Sequence, residues 1–175
     1  SQCIEELLSM YNLDKCRPAT TTGNSQLKPT VEDEEPLTTE EHSKYRTAVG
    51  KLQWLVGIRP DLAYATKELA RGLHAPTVSH KTQLKHLLRY IAGTTDTGLM
   101  LRPTYTMPTD AKTVDLHIYC DSDWAGCKTT RKSTTGVVAQ LLGCTIQHCS
   151  RTQATIALSS TESETYAICT GLAEG

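Results

Sequence analysis

Two acidic residues stand where a protein can hold a metal ion: Asp121, in an alternating run that begins at Leu116, and Glu164, in the first turn of an expected helix. The run Leu116-His117-Ile118-Tyr119-Cys120-Asp121-Ser122-Asp123-Trp124-Ala125-Gly126 has period 2. Asp121 therefore shares a strand face with His117 and Tyr119, and Asp123 falls on the same face just before a glycine turn. Carboxylates at a strand end and a helix start are oxygen donors, the kind a hard divalent cation such as Mg2+ requires. Spacing alone leaves a second reading open, because acids at strand ends and in first turns are also common structural caps. Asp123 in particular suits a cap of the turn ahead of Gly126.

The second group with chemical potential is basic. Lys81, Lys85 and Arg89 lie at i, i+4 and i+8 of an expected helix, a cationic row with a pitch that can follow a phosphate backbone. Arg131 and Lys132 sit in a turn leading into a strand, where they can touch phosphate or be solvated turn residues. On pattern alone, ordinary solubilisation of a helix face is the better account of the row. Charge along the chain is uneven, which fits either a polyanion partner or helix faces that are merely solvated and basic. Residues 1–41 carry three basic and nine acidic side chains (−6), residues 42–102 ten and three (+7), and residues 103–175 five and seven (−2). A basic middle beside an acidic site fits a protein that holds a polyanion with one part and metal ions with another.

The elements that must position these groups can be read from periodicity. Ile4, Leu7, Leu8 and Tyr11 mark a short amphipathic helix. From Ala19 to Glu41 the composition turns to Thr, Ser, Gly, Pro and acids, centred on Glu32-Asp33-Glu34-Glu35-Pro36, which reads as a linker. Thr38 or Thr39 caps a second helix with the stripe Tyr45, Val49, Leu52, Leu55 and Val56, stopped at Gly57. Arg59-Pro60-Asp61 restarts a helix that continues through Leu62, Ala65 and Leu69, and another runs from Ser79 to Ala92 on Leu84, Leu87, Leu88 and Ile91, closed by Gly93. Residues 98–101 are expected as a short strand and 103–113 as a second linker. After Val114 the period becomes 2. Strands are expected at 136–142 and 145–149, joined at Gly143 and therefore antiparallel. Thr161 and Glu164 have capping-box spacing, which predicts the start of a final helix there.

Totals bound the class. At 175 residues with 38% hydrophobic side chains the chain can build a core. It has no apolar run of membrane-spanning length, so no membrane partner is expected, and Ser1 at its start suggests a piece of a longer polypeptide. Seven cysteines without a CxxC pair argue for reduced thiols in an intracellular compartment. Cys144, His148 and Cys149 are a poor zinc set, since adjacent strand residues point to opposite faces.

Three motifs carry a family resemblance: Tyr119-Cys120-Asp121-Ser122-Asp123-Trp124-Ala125-Gly126, Arg131-Lys132-Ser133-Thr134-Thr135-Gly136 and Ala157-Leu158-Ser159-Ser160-Thr161-Glu162-Ser163-Glu164. Together they resemble the ribonuclease H region of copia-type LTR retrotransposon Pol polyproteins. Tyr45-Arg46-Thr47-Ala48-Val49-Gly50, Arg59-Pro60-Asp61-Leu62-Ala63 and Leu88-Arg89-Tyr90-Ile91-Ala92-Gly93-Thr94-Thr95 are similar to the segment joining polymerase to ribonuclease H, and residues 4–18 to the tail of the reverse transcriptase.

The resemblance implies an α+β or α/β chain: reverse transcriptase tail (1–18), acidic linker (19–41), helical thumb or connection (42–102), linker (103–113) and a truncated ribonuclease H-like domain (114–175) of three antiparallel strands and a helix. It implies Asp121 and Glu164 as catalytic metal ligands, with Asp123 as a candidate third. Two Mg2+ or Mn2+ ions in the complete parent site would hydrolyse the RNA strand of RNA:DNA hybrids, with no small-molecule cofactor. Lys81, Lys85, Arg89, Arg131 and Lys132 would face nucleic acid. Other partners would be the rest of the polyprotein, and the location cytoplasmic, particle-associated and nuclear.

The departures from the family pattern are a missing aspartate on the next strand, a missing later acid and a missing polymerase aspartate pair. Thr165 also stands where an aromatic residue often follows the Glu. The expectation is therefore that this chain alone is not an active nuclease. The alternatives are a non-catalytic nucleic-acid-binding module and a domesticated or degenerate remnant of an element.

Overall fold

Helix caps and apolar stripes decide where the chain turns regular. The computed structural model describes residues 2–23, 35–103, 107, 113–127 and 129–175, so much of both expected linkers lies outside the described residues. The chain divides into two units, Ser1–Gly98 and Leu99–Gly175.

The first unit is helical. α1 (Gln2–Met10) buries Ile4, Leu7 and Leu8 as its spacing demands. α2 (Thr39–Val56) starts at Thr38, whose hydroxyl accepts from Glu41 N–H at 3.3 Å. A 3-10 turn (Pro60–Leu62) follows, then α3 (Ala63–Arg71). α4 (Val78–Gly93) opens with a reciprocal box in which the Thr77 hydroxyl accepts from His80 N–H and His80 Nδ1 accepts from Thr77 N–H at 3.2 Å. One core joins the four helices, with Leu7, Tyr45, Leu52, Leu55, Leu84 and Leu88 almost wholly out of water. Each such side chain contributes about 1.5–3 kcal/mol. The Tyr45 hydroxyl donates to Leu69 O at 2.7 Å, which satisfies the polar end of a buried ring, and burial raises its pKa.

Arg59 is the exception to apolar packing. It is 1% exposed. Its guanidinium grips Asp61 through Nε (2.9 Å) and Nη2 (2.8 Å), and donates to Thr94 O (2.8 Å) and Thr94 Oγ1 (2.9 Å), while Tyr90 O–H donates to Asp61 Oδ2 at 3.0 Å. The charge thus ties the turn after α2 to the C-terminal end of α4. Burial pushes the Asp61 carboxyl up, but hydrogen bonds from Arg59 and Tyr90 and the guanidinium charge outweigh it and hold the group below the usual carboxylate range.

The second unit contains β1 (Leu116–Asp123), β2 (Thr134–Leu141), β3 (Cys144–Thr152) and α5 (Ser160–Glu174). The sheet is antiparallel in the order β1-β2-β3, with Asp121 opposite Gly136 and Asp123 opposite Thr134. Leu142 (φ 51°) and Gly143 (φ 76°) make the two-residue turn between β2 and β3, and a register shift after Ala139 leaves Ile146 out of the ladder. α5 lies on the sheet through Ser163, Ala167 and Gly171. A Cβ on Gly171 would collide with Cys120 Sγ, so only glycine allows this close approach.

The α+β class and the strand-strand-strand-helix order agree with expectation. The expected strand at 98–101 does not form. Its Met100 and Leu101 are 74% and 70% exposed, because no ladder among the described residues pairs with the segment. The final helix begins earlier than expected, capped by Ser159 rather than by Thr161. None of the seven cysteines forms a disulfide.

Candidate metal and nucleic-acid site

The end of the sheet that carries the acids is built by three contacts. Alternation along β1 turns Ile118, Cys120 and Ser122 towards α5 and leaves His117, Tyr119 and Asp121 exposed on the other face. Ser122 Oγ and Ser163 Oγ lie 2.9 Å apart. Ser163 already donates its proton to Ser160 O at 2.8 Å, so Ser122 is the donor. This bond joins the residue just after Asp121 to the residue just before Glu164. Asp121 itself points to the face away from α5 and is exposed, while Glu164, on α5, is half-buried.

Gln153, 8% exposed, supplies the second contact. Its Nε2 donates to Thr135 Oγ1 (3.0 Å) and to Ser163 O (2.9 Å), which holds the start of α5 against β2. Trp124 supplies the third: its indole N–H donates to Ala157 O at 3.1 Å. The ring is half exposed and tethers the turn after β1 to the chain leading into α5.

The turn itself is tight. Asp123 accepts from Thr134 N–H, and a Cβ at Gly126 would run into the Asp123 carboxyl group. Asp123 therefore performs the capping task. Ala125 N–H donates to Ser133 Oγ at 3.0 Å, and Arg131 takes a positive φ of 56° in the loop that returns to β2. Arg131 and Lys132 thus stand at the same end of the sheet as Asp121. In α5 the cap belongs to Ser159, which accepts from Glu162 N–H at 3.1 Å, while Glu162 accepts from Leu158 N–H at 2.7 Å and from Tyr166 O–H at 2.9 Å. Glu162, not Glu164, carries the capping work, which leaves the Glu164 carboxylate clear of it. Among the described residues no group of three or more His, Cys, Asp or Glu side chains is gathered closely enough to hold an ion.

In the helical unit the cationic row is spent unevenly. Lys81 pairs with Glu41, and Arg89 Nε donates to Arg17 O at 2.8 Å. Lys85 is exposed. The periodicity passed over a different surface, the solvent face of α2. There Arg46, Gly50 and Trp54 follow at i, i+4 and i+8, with Trp54 70% exposed and nothing within 4 Å of a Cβ placed on Gly50. The available signal was a tryptophan off the apolar stripe.

The sequence is matched by known proteins. The chain is 37% identical over 161 residues to the retrovirus-related Pol polyprotein from transposon RE1 of Arabidopsis thaliana, covering 92% of this chain and 10% of that one. It is 36% identical over 171 residues to the uncharacterized mitochondrial protein AtMg00810 of the same plant, covering 97% and 67%. It is also 39% identical over 125 residues to the secreted RxLR effector protein 161 of Plasmopara viticola, covering 71% and 83%. No family profile and no solved structure matches. The chain belongs to the family of AtMg00810-like proteins, whose sequence it shares over most of its length with retrovirus-related Pol polyproteins of copia-type transposons. It spans about a tenth of the length of the RE1 polyprotein.

Proposed function

We propose that this chain is the part of a retrotransposon polyprotein that grips an RNA:DNA hybrid and carries the first half of a ribonuclease H site, with Asp121 and Glu164 as ligands for Mg2+ or Mn2+. The observation that carries this reading is the Ser122–Ser163 bond, which holds the strand of one acid against the helix of the other. Both groups offer the oxygen donors that such ions take. Their number falls short of a two-ion site, because Asp123 accepts from a backbone N–H and no third acid gathers beside them among the described residues. No catalytic step is therefore assigned to this chain by itself. The remaining ligands would come from other parts of the polyprotein.

A hybrid-cleavage assay with Mg2+ and with Mn2+ tests the reading. The chain alone should not cleave above background, and supplying the rest of the polyprotein should give cleavage that Asp121→Asn and Glu164→Gln each abolish. Strong cleavage by the isolated chain that is lost in Asp121→Asn would show that the site is already complete.

A second reading, a non-catalytic binding module, is favoured by the solvent face of α2. A mostly exposed indole beside an open glycine and Arg46 is a surface on which bases or a groove can rest. Hybrid binding that is weakened by Trp54→Ala and indifferent to both acids would support it.

A further inference from the structure

Residues 17–21 lie as an extended strap on the C-terminal half of α4, and the strap engages the cationic row. Arg89 Nε–H donates to Arg17 O at 2.8 Å, Ala19 N–H donates to Arg89 O at 3.2 Å, and His86 Nε2 sits 3.0 Å from Thr21 O. A carbonyl only accepts, so His86 carries its proton on Nε2. Pro18 rests on Gly93, where a Cβ would come within 2.7 Å of the proline ring. The strap has little apolar anchorage: Arg17, Pro18, Thr20 and Thr21 are exposed and Ala19 is only half-buried. It is held by hydrogen bonds at the surface, where water competes for every partner. With Lys81 paired to Glu41, the contact from Arg17 takes up the second of the three cations in the row.

We propose that the strap is an autoinhibitory contact that keeps the α4 row closed, and that its release frees Arg89 to join Lys85 on a nucleic-acid phosphate backbone. This rests on the nucleic-acid reading of the previous subsection. A phosphate is a stronger partner for a guanidinium than a backbone carbonyl, so a bound polyanion displaces the strap and a docked strap weakens the polyanion.

The test uses the full chain and two variants that open the strap by different means. Ala19→Pro removes the N–H that bonds Arg89 O, and Gly93→Ala pushes against Pro18. Tryptic cleavage after Lys15 reports opening, and fluorescence anisotropy of a labelled RNA:DNA hybrid over a salt series reports binding. Both variants should be cut faster, bind the hybrid several-fold tighter, and show a log affinity against log salt slope steeper by about 0.9, the value for one added phosphate contact on a B-form duplex. Adding Arg89→Gln should remove the gain. Faster cleavage with unchanged affinity, or no faster cleavage in either variant, overturns the proposal. If the strap-open variants and the wild type all fail to bind, the polyanion reading of the row falls together with the strap's role. That outcome is distinct from binding that the strap does not affect.

Discussion

The helical unit and the sheet unit solve the packing problem in opposite ways. The helical unit buries large apolar side chains from four helices and one charged group, Arg59, whose every contact is arranged. In the sheet unit polar side chains share the interior, with Ser133, Thr134, Thr135, Gln153 and Ser163 buried alongside Val137, Ala139 and Ala167, while Leu158, Ile168 and Leu172 are 86%, 54% and 73% exposed. The first is built to be stable as it stands. The second locks its helix to its sheet through hydrogen bonds and leaves several of its large apolar groups on the outside.

Substitutions that strike one unit and spare the other sharpen this contrast, and each unit has its own reporter in Trp54 or Trp124. The largest effect is expected from Asp61→Ala, which leaves the Arg59 guanidinium buried without its carboxylate. Removing one partner of a buried pair costs about 3–5 kcal/mol, read as a lower urea midpoint followed at Trp54 in a Trp124→Phe background. An unchanged midpoint would show that the network is not what holds the turn to α4.

Next comes Gly171→Ala, which forces a methyl group against Cys120. Overpacking of this kind costs about 1–3 kcal/mol and should appear at Trp124 and not at Trp54. A smaller loss, about 1 kcal/mol, is expected of Ser159→Ala, because the cap of α5 is lost.

The acid limb of stability separates the units further. The Asp61 carboxyl titrates below its unfolded value of about 3.9, so its contribution is fully present above that value and disappears as pH falls through the lower folded one. Asp61→Ala should flatten the Trp54-detected loss of stability below about pH 4, and an unaltered acid limb would refute the assignment. The smallest expected change is a gain. Leu142 takes φ 51° in the hairpin turn, a conformation that asparagine adopts at lower cost, so Leu142→Asn should raise the stability of the sheet unit by up to about 1 kcal/mol.

Periodicity made most of the architecture legible because burial has a repeat. Ile4, Leu7 and Leu8, or Leu84, Leu87, Leu88 and Ile91, face one way only if the chain is helical, and they are buried together. The alternation of β1 put Asp121 on the outer face in the same manner. What stayed hidden depends on partners distant in the chain. Arg59 reads as a surface charge until Thr94, 35 residues away, receives it. Residues 98–101 have the composition of a strand and no neighbour to pair with. Two capping boxes overlap around Ser159 and Thr161, and the frame that Ser159 sets decides which glutamate is consumed. Ser122 and Ser163 fall on the repeats of β1 and α5 but are polar and add nothing to an apolar pattern, and Gln153 lies in neither strand nor helix.

One geometrical fact about β1 reaches beyond the site. Among the described residues it pairs only with β2, and all eight of its positions run in unbroken register. Its other edge is a continuous row of backbone donors and acceptors. Any strand that settles there will lay its side chains next to Asp121 in the act of covering that row. Protection of that edge from aggregation and the arrival of new side chains beside Asp121 would then be one event.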